Sequence, residues 1–131
     1  MSRKPHHWCS RSLIVSEVRY TLCTSPAQYA AECARLGEAY PDPWISAGAA
    51  ATCHTLEIPG ETCCVVCITP PAPHLSGVQI AAMLVHEAVH VWQTIRRSIG
   101  ETSPSSEFEA YSIQHIAQEL MSRYVELKDT P

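Results

Sequence analysis

No apolar run in this chain approaches the roughly 20 residues of a membrane-spanning helix, and the N-terminus carries no apolar signal-peptide core. Internal repeats and low-complexity tracts are missing too, which sets aside solenoid and compositionally biased architectures. An excess of positive charge is also missing. The net charge of -4 at pH 7 gives no reason to expect nucleic acid or an anionic membrane as partner. What is present is an ordinary globular composition, 46% hydrophobic over 131 residues. That length predicts one domain, able to bury about two thirds of its unfolded-chain surface without covalent staples. Residues 1–11, with Arg3, Lys4, His6, His7 and Arg11, read as a flexible basic leader, and residues 12–131 as the domain.

Cysteine is abundant rather than scarce. The seven are Cys9, Cys23, Cys33, Cys53, Cys63, Cys64 and Cys67. An odd count without an export signal predicts reduced thiols and a cytoplasmic protein. Cys64 and Cys67 form a CxxC, but a structural zinc site would want a second pair at similar spacing. Cys53 and His54 are adjacent, and the other cysteines are scattered. The plain alternative is that these thiols are small buried hydrophobes.

The chain is organised around residues 76–100, SGVQIAAMLVHEAVHVWQTIRRSIG. Ser76 is a good N-cap and Gly100 a good stop. No proline intervenes, and Ala81, Leu84, Val85, Ala88, Trp92, Ile95 and Ile99 recur at helical spacing. One helix of about six turns is predicted. Inside it stands His86-Glu87-Ala88-Val89-His90. Residues four apart share a helical face, so both imidazoles can reach one metal ion, and Glu87 can hold a water bound to it. The competing reading is an amphipathic core helix with two hydrogen-bonded histidines. Two His and a Glu in the most apolar part of a helix would be costly to bury without a partner, which favours Zn²⁺.

Around this helix the chain reads as follows. Residues 13–22 are β-branched and partly alternating, a first strand. Ser25 caps a helix with Pro26 at its first position, a face of Tyr29, Ala30, Cys33 and Leu36, and Gly37 at its end. Residues 52–58 and 62–69, joined at Pro59-Gly60, predict a β-hairpin. A last helix over residues 103–127 would be capped by Ser103, with Pro104 at its first position and a core stripe of Ala110, Ile113, Ala117, Leu120 and Tyr124. The fold class is therefore α+β: a small, mostly antiparallel sheet of about three strands against the HExxH helix and the helix after it, with an N-terminal helix besides.

A catalytic zinc usually takes three protein ligands and leaves a position for water. The tight third-histidine pattern is absent, since no His follows His90 until His115. A carboxylate on the next helix is the other common solution. Glu101 sits in the turn and Glu119 lies about three turns along the helix, which leaves Glu107 and Glu109. Each has a plain alternative. Ser106 to Glu109 has the spacing of a capping box, and a first-turn carboxylate at Glu107 suits the helix dipole.

With HEAVH in one helix and EFEAYSIQ (residues 107–114) in the next, the chain resembles the gluzincin zinc peptidases, and is similar to the compact ImmA/IrrE-type peptidases. The resemblance covers roughly residues 52–127 and is specific at the two motifs. It implies a minimal zincin-like domain with His86, His90 and Glu107 as metal ligands, Ala110 as the close-packing residue and Ile113 as a core anchor. The Asp or Asn that several such families place four residues after the ligand is Tyr111 here. The implied activity is hydrolysis of peptide bonds in a peptide or protein substrate by a zinc-activated water, with Glu87 as general base. It also implies that residues 62–69 form the sheet edge on which an extended substrate pairs. His54, His74, Tyr111 and His115 are candidate oxyanion donors, each with a surface or packing role as its alternative. Two other classes compete: a zinc-stabilised binding domain without chemistry, and a cysteine-based redox or zinc scaffold using Cys64 and Cys67. The intact Glu87, which a purely structural site would not need, favours the enzyme.

Overall fold

The structure is a computed structural model that describes residues 6, 8, 9, 17–69 and 75–128. Its elements run β1 (Val18–Cys23), α1 (Pro26–Leu36), β2 (Ala51–Ile58), β3 (Glu61–Ile68), α2 (Gly77–Ser98) and α3 (Ser106–Lys128). Of the first-strand expectation, residues 13–16 lie outside the described residues, as do Arg3, Lys4, His7, Arg11 and His74. His6, Trp8 and Cys9 are described, and all three are hydrogen bonded to the folded body: His6 Nε2 to the Leu22 carbonyl at 2.9 Å, Trp8 Nε1 to Glu32 Oε1 at 2.9 Å, and the Cys9 amide to the Tyr20 carbonyl at 3.1 Å.

The local signals at α1 and α2 act as expected. The Ser25 hydroxyl accepts from the Gln28 amide, Pro26 opens α1, and Gly37 closes it in the left-handed region at φ 82°. Ser76 and Gln79 form a reciprocal capping box at α2, with bonds of 2.7 and 3.2 Å. The last helix begins three residues later than predicted. Ser105, not Ser103, is the cap: its hydroxyl accepts from the Phe108 amide and its carbonyl from the Glu109 amide. Pro104 precedes the helix instead of opening it.

The sheet is three-stranded in the order β1-β3-β2. The hairpin β2–β3 is antiparallel, with Ala51 opposite Ile68, while β1–β3 is parallel, with Val18 opposite Thr62. The fold is thus α+β with a mixed sheet, not a mostly antiparallel one. The helix α1 and the connection after it return the chain to the end of the sheet where β1 finished, so β2 runs back and β3 runs alongside β1 in the same direction. This topology makes β3 the centre strand, paired on both sides. The expectation that residues 62–69 form the open edge is corrected: the edge that follows the hairpin is β2.

Period-2 alternation sorts the strand side chains into two layers. Val18, Tyr20, Leu22, Cys64, Val66 and Ile68 face α2 and α3 in the larger core. Cys23, Cys63, Val65, Cys67 and Leu56 pack with Tyr29 and Cys33 of α1 in a second one. Cys64 and Cys67 are three apart on one strand, so their sulfurs lie on opposite faces of the sheet and cannot share a ligand. In α3 the buried residues are Ser112, Ile116, Ala117, Leu120, Tyr124 and Leu127. Ala110, expected to pack closely, is exposed, and Ile113 is half-buried. Both line an open apolar groove of about 690 Å³ beside Val85, because the stripe by which α3 meets α2 is turned one position round the helix, through Glu109, Ser112 and Ile116.

Candidate metal centre

The motif lies where α2 passes the open edge of the sheet. Leu84, Ala88, Val91 and Ile95 turn inward, Trp92 turns to α3, and His86 and His90 point outward on the remaining face. The two Nε2 atoms stand 3.2 Å apart. That distance is a hydrogen bond between the two rings when one nitrogen carries a proton, and it is also close to the roughly 3.3 Å that separates two nitrogens held about 2.05 Å from one tetrahedral zinc. The rings meet edge to face at 4.9 Å between centroids. Gln93 Oε1 lies 3.2 Å from His90 Nδ1. A proton on Nδ1 donated to that amide oxygen leaves the Nε2 lone pair free for a metal. Gln93 was not among the residues singled out from the sequence, although its position three after His90 places it on the same face.

Glu87 is turned in towards β2. It is only 5% exposed, and its Oε2 has no hydrogen-bond partner within the protein. Burial raises its pKa above the ordinary carboxylate value, an effect opposed by His86, His90 and His54. His86, Glu87, His90, Gln93, Thr94 and Arg97 of α2 share a cavity of about 320 Å³ with Ser46, Thr52, Cys53 and Thr55. A second cavity, about 360 Å³, joins His86 and Glu87 to Ala50, Ala51, Ala82 and Met83. The site therefore opens along β2 in both directions. These β2 residues carry no motif, and only the hairpin topology reveals them.

The carboxylates proposed from the next helix lie elsewhere. Trp92, two residues past His90, sits about 160° round the helix from it. Its indole N–H donates to Glu109 Oε2 at 2.8 Å, and its ring meets Phe108 edge to face at 5.5 Å. Glu109 is thus neither a capping-box residue nor beside the histidines: it is tied to the opposite flank of α2. Glu107, one residue before Phe108, is exposed. Among the described residues no group of three His, Cys, Asp or Glu side chains is arranged to hold a metal. The structure brings His86, His90 and Glu87 together and does not bring Glu107 to them.

The oxyanion candidates divide similarly. His54 belongs to the α1 layer, stacked on Tyr29 at 4.6 Å with Nε2 2.8 Å from the Trp44 carbonyl. Tyr111 is 61% exposed. His115 lies 3.4 Å from Glu119 one turn on. His74 lies outside the described residues. No described helix is long and apolar enough to cross a membrane. No protein-family model, no curated protein and no solved structure matches the chain.

Proposed function

We propose that the protein is a zinc-dependent metallopeptidase, a hydrolase built on a minimal zincin-like domain. The reading is supported above all by the 3.2 Å approach of the His86 and His90 Nε2 atoms above a buried Glu87 with an unpartnered oxygen. The expected burial of the histidines is not found, since both are exposed; the costly group without an ion is the desolvated Glu87 carboxylate beside them. With an ion each donor has a use, so the residues fit zinc in two ligands and a base.

His86 and His90 would hold the metal through Nε2, with Gln93 fixing the second ring. When bound, zinc supplies Lewis acidity, lowering the pKa of a bound water towards ~7 and polarising a carbonyl. Glu87 would take the water's proton and return it to the leaving amine. The open edge of β2 offers backbone groups to an extended peptide lying across the cavity. The sequence motif would make Glu107 the third ligand, a role that requires the first turn of α3 to close on the ion, since its side chain is exposed and, among the described residues, no three donors stand together. The seven free thiols agree with a reducing, cytoplasmic setting.

The test is Glu87→Gln. On this reading the variant keeps its zinc and loses cleavage of a peptide library that the wild type cuts. Wild-type protein that holds zinc and cleaves nothing favours the binding domain without chemistry instead.

A further inference from the structure

The α1 side of the sheet, away from the histidine pair, carries a second concentration of reactive groups. Cys23 ends β1 and is the direct partner of Cys67 on β3. Paired residues of neighbouring parallel strands send their side chains to the same face, and both sulfurs belong to the α1-side core. Strands lie about 4.8 Å apart, inside the roughly 4.4–6.8 Å range of Cα separations in disulfides. The other thiol contact, Cys53 with Cys64, is different. Cys53 stands opposite Val66, so Cys64 is a diagonal neighbour, about 7–8 Å away and outside that range.

We propose that Cys23 and Cys67 are a redox-active dithiol, oxidised to an intramolecular disulfide by small-molecule disulfides of the glutathione class, with His6 beside it and Trp8 closing it. The proposal does not rest on the zinc reading. Cys23 is the attacking group. The Cys67 S–H donates to it, and His6 adds a second hydrogen bond and its charge; together these outweigh burial and lower the Cys23 pKa, while that of Cys67 rises. The other groups acting on the pair are Glu32 and Cys33 of α1 and, on Cys67 from across the sheet, Glu87 of α2. Burial alone would lower the pKa of His6, but Cys23 and Glu32 hold it above its usual value.

The chemistry balances in two exchanges. The Cys23 thiolate attacks one sulfur of the small disulfide, forming a mixed disulfide and expelling one thiolate. Cys67 then gives its proton to that thiolate and attacks the Cys23 sulfur, expelling the second thiolate, which takes a proton from water. The protein dithiol is oxidised and the small disulfide is reduced to two thiols. The strand spacing is wider than the roughly 3.8 Å between Cβ atoms in a relaxed disulfide, so the bond is strained and readily reduced again.

Cys23 and Cys67 are both 0% exposed, so reaction requires the Trp8 side chain to move off this core. Trp8 packs on this core, is held to Glu32 by its indole N–H, and lies under the Arg19 and Arg35 guanidinium groups at 4.8 and 5.6 Å.

The test treats fully reduced, folded protein with excess oxidised glutathione, alkylates the remaining thiols, and maps peptides by mass. A Cys23–Cys67 link is expected, reversed by reduced glutathione. Trp8→Ala should speed its formation about tenfold or more, having lost a charge-assisted hydrogen bond from the closed state. Cys67→Ala should stop at a glutathione adduct on Cys23. Should either variant fail to fold, the wild-type map decides alone. Seven alkylated thiols after treatment, a link through Cys33 or Cys53, or an adduct confined to Cys9 would each overturn the proposal.

Discussion

Replacing Glu87 by Gln should make the metal-free protein more stable and, on the metallopeptidase reading, should abolish peptide cleavage. Glu87 is 5% exposed and one of its oxygens meets no donor. A buried charged group costs more to desolvate than an amide of the same shape, and an unsatisfied buried polar group costs roughly 1–3 kcal/mol. We therefore expect a gain of about 1–2 kcal/mol near pH 7.5. For a domain of 131 residues that is a rise in Tm of roughly 3–10 °C. The pH dependence fixes the cause. The folded-state pKa of Glu87 lies above its unfolded value, so between the two the folded state holds the extra proton. The wild type then gains stability as pH falls through the raised pKa and loses it as pH rises. The advantage of Glu87→Gln should therefore shrink on acidification. Thermal unfolding by circular dichroism in the presence of a chelator, at several pH values from 4 to 8, reads this directly. A variant less stable than wild type at pH 7.5, or an advantage that grows towards acid, would refute the reasoning.

Other outcomes follow from the packing of α2. Trp92→Phe should cost about 2 kcal/mol in urea unfolding, because it leaves Glu109 without its indole donor. Glu109→Gln should cost less than that and leave zinc uptake unchanged, and the double variant should cost less than the sum. Ser76→Ala removes one half of the α2 capping box and should lower stability by about 1 kcal/mol, read as a lower Tm. Glu107→Gln should weaken zinc binding in an equilibrium titration if the first turn of α3 closes on the ion; unchanged affinity removes Glu107 from the ligand set.

The parts of this molecule legible in its sequence are those fixed by neighbours along the chain. Ser25-Pro26 and Gly37 bound α1, Ser76 starts α2, and Pro59-Gly60 turns the hairpin, because each works through hydrogen bonds or backbone angles a few residues away. The pairing of His86 with His90 is legible for the same reason: one helical turn brings them together. What lay beyond reach depends on long-range placement. Nothing local tells that β1 joins β3 in parallel and leaves β2 at the edge. Likewise, the shift of the α3 contact stripe from Ala110 towards Ile116 follows from how two helices cross. The same crossing sends Glu109 to Trp92 rather than to the histidines, which spacing along one chain could not reveal. The wall of the cavity, Cys53 and Thr55 of β2, follows only from the sheet order.

On the zinc reading, His86 and His90 hold one metal ion between them. A calorimetric zinc titration of the chelator-treated protein, wild type beside His86→Ala and His90→Ala, measures this. One ion per wild-type chain is expected, with each variant weakened by more than about 100-fold, beyond what the loss of a merely orienting partner costs. Equal affinity in all three proteins would contradict it.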